Sequence, residues 1–143
     1  MTCLDKIMLE AKLYSIHFTK SNNFWRSCVF TENDKTKDVR TYICNSLKIC
    51  DEKLKIIEKF DCTIFKHSFT NRFEKGFIES SWIDGVEYAV EIVENNRKEY
   101  KIFIADFDIA TEEVFAEIQN MYPKIPLKID CLGDVWLKRS DIF

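Results

Sequence analysis

The stretch Trp82-Ile83-Asp84-Gly85-Val86-Glu87-Tyr88-Ala89-Val90-Glu91-Ile92 decides how the chain is read. Val86, Tyr88, Val90 and Ile92 alternate with Glu87, Ala89 and Glu91, the two-residue period of a strand with one buried and one solvated face. Asp84-Gly85 ahead of it is a turn signal, so Phe77 to Ile83 reads as a preceding strand. Asn95-Asn96 makes the next turn, and Tyr100, Ile102 and Ile104 alternate with Lys101, Phe103 and Ala105. Together these segments predict a three-strand antiparallel meander.

Upstream, Leu13 to Phe18 alternate, and after the polar cluster Lys20-Ser21-Asn22-Asn23 the segment Phe24 to Thr31 carries aromatic and β-branched residues. That pattern predicts a hairpin. Leu4, Ile7, Met8 and Ala11 fit a short helix equally well. Val39, Ile43, Leu47, Cys50, Leu54 and Ile57 recur at steps of three and four. Their spacing predicts one long helix over 36–59, capped by Asp34 or Thr36 and broken near Cys50-Asp51. Thr63 to Phe69 reads as a strand. Thr111-Glu112-Glu113 opens a second helix that Pro123 and Pro126 stop, and Ile125 to Cys131 and Val135 to Lys138 are two short strands around Gly133. The expectation is one α+β domain over 1–143, with no internal repeat. Its mainly antiparallel sheet, a hairpin plus a three-strand meander, packs against one long and one shorter helix.

Composition narrows the classes. The 143 residues are 46% hydrophobic and 31% charged with three Gly and two Pro, which excludes collagen-like and Gly- or Pro-rich disordered chains. No apolar run approaches the ~20 residues of a membrane helix, and no basic segment followed by an apolar one opens the chain, so a cytoplasmic protein is expected. The cysteines Cys3, Cys28, Cys44, Cys50, Cys62 and Cys131 form no C-x-x-C pair, and with only two His they read as reduced core hydrophobes.

Catalytic patterns fail one after another. Three scattered glycines build neither a phosphate-binding loop nor a nucleophile elbow. His17 and His67 fall in predicted strands among apolar neighbours and read as structural. Asp106-Phe107-Asp108 places two carboxylates at i and i+2 near Glu112 and Glu113, an arrangement that could hold Mg²⁺ or Mn²⁺ in a small metal-dependent hydrolase or nuclease. A strand-to-helix junction calls for the same residues as a cap and as first-turn acids, and that explanation is preferred. No enzyme activity, cofactor or resident metal is therefore expected.

Charge is unevenly spread. Residues 79–117 hold 3 basic and 11 acidic residues, whereas residues 1–78 hold 14 basic and 10 acidic ones. Glu87 and Glu91 share one strand face, with Asp84 and Glu94 at the strand ends and Trp82 beside the expected turn. An aromatic residue rimmed by carboxylates suits docking of a basic protein, so Trp82, Asp84, Glu87, Glu91 and Glu94 are the candidate partner-binding residues. The alternative is a strand edge kept charged against pairing. The basic residues are dispersed along a predicted helix that also carries acids, so neither a nucleic acid nor a membrane is an expected partner.

The stretch from Trp82 to Ile92, with Phe103-Ile104-Ala105-Asp106-Phe107-Asp108 and the helix from Thr111 to Tyr122, resembles small bacterial immunity proteins of polymorphic-toxin and contact-dependent inhibition systems. The resemblance implies a cytoplasmic single domain that binds and neutralises a cognate toxin, frequently a nuclease, without catalysis. It transfers no functional residue. A phage- or virus-encoded host-interaction protein would carry the same features.

Overall fold

Six strands close into a barrel in the order β1-β2-β6-β4-β5-β3, in a computed structural model that describes residues 8–31, 35–69 and 81–143. In chain order these are β1 (Met8–Lys20), β2 (Asn22–Thr31), helix α1 (Thr36–Leu47), β3 (Leu54–Phe65), β4 (Trp82–Glu94), β5 (Arg97–Asp106), helix α2 (Thr111–Met121), β6 (Leu127–Lys138) and the short helix α3 (Arg139–Ile142). β1 pairs antiparallel with β2 and β3, and β4 pairs antiparallel with β5 and β6. Two parallel seams join these three-strand sheets, Cys28↔Trp136 with Val29↔Leu137 and Thr63↔Phe103 with Ile64↔Ile104. Each seam is two residue pairs long.

The mainly antiparallel hairpin-plus-meander sheet expected from the sequence is therefore replaced by a closed mixed barrel. Four local readings caused the error. Asp84 and Gly85 lie inside β4 rather than in a turn. Gly85 is needed there for space, because a Cβ would stand 2.5 Å from Leu137 Cδ1 and 3.1 Å from the Ala105 carbonyl. The long helix ends at Leu47, where Lys48 turns left-handed (φ 58°) and its N–H caps the Cys44 carbonyl. The cap position ahead of the helix is Lys35, with no side-chain cap bond. Leu54 continues the apolar stripe, but as the first residue of a strand against the same core as Val39 and Ile43. The two short final strands are one strand, β6, with Gly133 at φ 130°. The segment expected as a strand from Thr63 stops at Phe65 and passes into a 3-10 turn. Of the expected strand from Phe77 to Ile83, residues 77–80 lie outside the described residues, as do Leu4, Ile7 and Asp34.

The turns after Lys20 and at Asn95-Asn96 and the second helix stand as expected. Asn95 and Asn96 take positive φ (54° and 63°), the conformation a two-residue hairpin loop demands, and α2 starts at Thr111.

An internal repeat, absent from the sequence reading, organises the barrel. Strand–strand–helix–strand occurs twice, with first strands of 13 residues, second strands of 10 and third strands of 12 in both halves. Registers coincide towards both strand ends: Ala11↔Cys62 answers Gly85↔Val135, and Phe18↔Leu54 answers Ile92↔Leu127. Tyr14 and Tyr88 occupy equivalent sites, as do Leu54-Lys55-Ile56 and Leu127-Lys128-Ile129. Each third strand carries a bulge, and the extra residue, Ile57 or Leu132, is exposed.

Near the seams the strands bury residues on both faces, which explains their apolar character there. Leu13, Val29, Ile64, Ile83, Ile104 and Leu137 fill the barrel, while Tyr14, Ile16 and Phe30 pack outward under α1 and Tyr88, Val90 and Phe103 outward under α2. Burial of about 25 cal/mol per Å² makes these three clusters the main source of stability.

Candidate functional site

β2 and β6 separate on the N-terminal side of their seam, since no pairing joins Asn22–Ser27 to β6. A slot of about 660 Å³ opens there, within the range of ligand-binding cavities. Strand alternation assigns its walls. Arg26, Asp84, Asp134 and Trp136 lie on the outer face of the sheet, and Ser15, Trp25, Ser27 and Val135 on the face that continues into the barrel. Phe107, just past β5, completes the rim and is half exposed. Trp25 is 64% exposed and packs against His17, with ring centroids 4.6 Å apart and the rings tilted by 45°.

The Arg26 guanidinium reaches across the slot, 5.5 Å from the Trp136 ring, while also lying 5.6 Å from the Phe24 ring. Its Nη1 donates to the Trp25 carbonyl at 2.8 Å.

Asp84 faces Trp136 and Val86 faces Asp134 across the β4–β6 pair, so the two carboxylates are diagonal neighbours on one face, about 7 Å apart at Cβ by strand geometry. The equivalent quartet in the first half is Glu10 facing Thr63 and Lys12 facing Asp61. There the Thr63 hydroxyl donates to Glu10 (3.4 Å) and Lys12 pairs with Asp61. In the second half Trp136 stands for Thr63 and Val86 for Lys12, and neither Asp84 nor Asp134 has a hydrogen-bond or ion-pair partner for its carboxylate among the described residues.

The residues expected from the sequence to bind a partner do not converge. Trp82 is an internal anchor beneath α1. Its Nε1 donates to Ser46 Oγ at 3.0 Å and its ring packs on Phe30, Tyr42 and Trp136. Asp84 is exposed on the slot. Glu87 and Glu91 do share a face, but it is the barrel side: Glu87 is half-buried opposite Gly133, where burial raises its carboxyl pKa above the ordinary range. Glu91 accepts the Tyr100 hydroxyl at 2.9 Å and lies 3.9 Å from Lys98. Glu94 is exposed beside Arg97 and Glu99 near the second hairpin turn, about 30 Å along the strand from Asp84.

Asp106 is buried, and its Oδ1 accepts the Asp108 N–H at 3.2 Å while Ser68 Oγ takes its own N–H. Its carboxylate thus organises the turn into α2, and no group of three His, Cys, Asp or Glu side chains among the described residues is placed to hold a metal ion. Glu112 sits in the first turn of α2. Cys28, Cys44 and Cys62 are buried, and burial pushes all three thiols up, which makes them poor nucleophiles. His67 is held by Glu117 of α2.

Sequence reasoning overlooked Trp25, Arg26, Phe107, Asp134 and Trp136 as a group. The signal for the changed quartet is the repeat: aligning Leu54-Lys55-Ile56 with Leu127-Lys128-Ile129 brings Thr63 opposite Trp136, and aligning Tyr14 with Tyr88 brings Lys12 opposite Val86. No helix among the described residues is long and apolar enough to cross a membrane. Compared with known protein families, characterised proteins and solved structures, the chain matches none.

Proposed function

We propose that this chain is a non-enzymatic binding protein that docks a basic protein partner at the slot between β2 and β6, in the manner of an immunity or inhibitor protein neutralising a cognate toxin domain. One observation carries the proposal: the acids Asp84 and Asp134 have no partner among the described residues, while the equivalent pair, Glu10 and Asp61, is matched by Thr63 and Lys12. Two carboxylates beside Trp25, Trp136 and Phe107 form a setting for Lys or Arg side chains, which gain from charge pairing and from the aromatic faces together. The centre of the proposed acidic docking surface accordingly moves from Glu87 and Glu91 to Asp84 and Asp134. Glu87 faces the barrel, and Glu91 already holds Tyr100.

Affinity capture with the wild-type chain and with the Asp84→Asn/Asp134→Asn double variant, at low and high salt, tests this. A basic protein recovered by the wild type should fall by about tenfold or more with the variant and with added salt. A partner retained equally under all four conditions would sink the proposal.

A further inference from the structure

The slot is bounded by two strand edges. β2 uses one edge over its whole length against β1, but its other edge meets β6 only at Cys28 and Val29. Residues Asn22–Ser27 therefore turn the backbone groups of alternate residues toward the slot without a ladder partner. β6 is in the same position: β4 occupies one edge, and the other is unpaired from Leu127 to Val135. Both edges border the slot, and each carries ladder groups that an added strand would take up. The seam at Cys28↔Trp136 marks where that strand would have to stop.

Side-chain alternation specifies what such a strand would carry. Asp84, Asp134 and Trp136 share the outer face, so every second residue of an inserted strand would point toward them, and the residues between would point toward Ser27 and Val135. Arg26, whose guanidinium lies over the Phe24 and Trp136 rings and holds the Trp25 carbonyl, covers the outer side of this space in the unbound chain, beside the contact of Trp136 with Phe18. A charged side chain across an open edge is a known way to keep that edge from pairing indiscriminately.

We infer that the partner enters as an extended segment that adds a strand between β2 and β6, with Lys or Arg at alternate positions facing Asp84 and Asp134. Small apolar residues stand between them, and Arg26 swings aside to admit the segment. This inference rests on the proposed binding of a basic protein and names how that protein is held.

The probe is an acetylated and amidated hexapeptide alternating Lys and Val, titrated into the full chain. Its comparators are a version N-methylated at alternate backbone nitrogens, an alternating Glu–Val peptide, and free arginine amide. Binding should slow amide hydrogen exchange at alternate residues of 22–27 and 128–135 by about tenfold or more, and the N-methylated, Glu–Val and arginine amide probes should bind at least about tenfold more weakly. Asp84→Asn/Asp134→Asn should weaken the Lys–Val peptide by a similar factor without moving the melting temperature, and Arg26→Ala should tighten it. Equal binding by the N-methylated peptide or by arginine amide would overturn strand insertion. So would binding that leaves exchange in both edges unchanged, or no binding at about 1 mM peptide. If the peptide fails while capture of a basic protein still depends on Asp84 and Asp134, strand insertion falls and the binding proposal stands. Loss of that dependence overturns both.

Discussion

In the first half of the molecule Lys12 holds Asp61 and Thr63 reaches Glu10, whereas in the second Val86 and Trp136 stand at those positions and Asp84 and Asp134 are left without partners among the described residues. The backbone registers around the two quartets are the same. Pairing, bulges and helix placement are thus held by the barrel as a whole, while the outer face beside each seam varies at little cost to the fold. One quartet satisfies itself. The other is disposed to be satisfied from outside, and beside it Trp25 stands where the first quartet's neighbour is Tyr100, bound to Glu91.

The comparison can be broken most forcefully in the cores beneath the helices. Ile43 under α1 and Ile118 under α2 are both fully buried. Truncating either to Ala should cost about 2–5 kcal/mol in urea unfolding, with the two costs adding in the double variant. A biphasic transition in which only one phase moves would mean that the halves unfold separately. The second contrast is Gly85 against its counterpart Ala11. Gly85→Ala forces a methyl onto Leu137 and the Ala105 carbonyl and should cost about 1–3 kcal/mol, more than the loss of roughly 0.5–1 kcal/mol expected for Ala11→Gly. Equal losses would show that Leu137 yields easily.

A third contrast concerns charge inside the barrel. Glu87 occupies the place of Leu13, and burial raises its pKa. A carboxyl with a higher pKa folded than unfolded makes stability fall as pH rises, through a window that opens at its ordinary 4.5 and closes at the raised value. Glu87→Leu should therefore melt higher at neutral pH and lose that part of the pH slope. An unchanged slope would count against a buried-side orientation for Glu87. The smallest effect belongs to Lys12→Met. Its partner Asp61 is largely exposed, so the cost should be about 0–1 kcal/mol and should shrink further in high salt.

Much of the local structure was legible in the sequence. The alternation in Leu13–Phe18 and Val86–Ile92, the Asn95-Asn96 turn and the start of α2 at Thr111 all follow from short-range chemistry and stand in the structure. What escaped was set at long range. Asp84-Gly85 has the chemistry of a turn, yet Gly85 answers to Leu137 from a strand far along the chain. The apolar stripe through Leu54 keeps facing the α1 core after the backbone has changed from helix to strand, so periodicity alone could not see the change. The barrel closes through parallel pairs that leave no local mark, and the slot exists because those pairs are so few. Asp84 was identified from its charge, but Asp134 could be matched to it only through the register of β6.

The two parallel seams also set an order of events. Cys28 and Trp136 lie 108 positions apart in the chain, while Thr63 and Phe103 lie 40 apart. Loop-closure entropy grows with the length of chain enclosed, and contacts between distant positions slow folding. Each three-strand sheet can form from neighbouring segments, and the shorter connection favours the β3–β5 seam ahead of the β2–β6 seam. The binding slot lies beside the later closure, a junction of two residue pairs that knits the first third of the chain to its end.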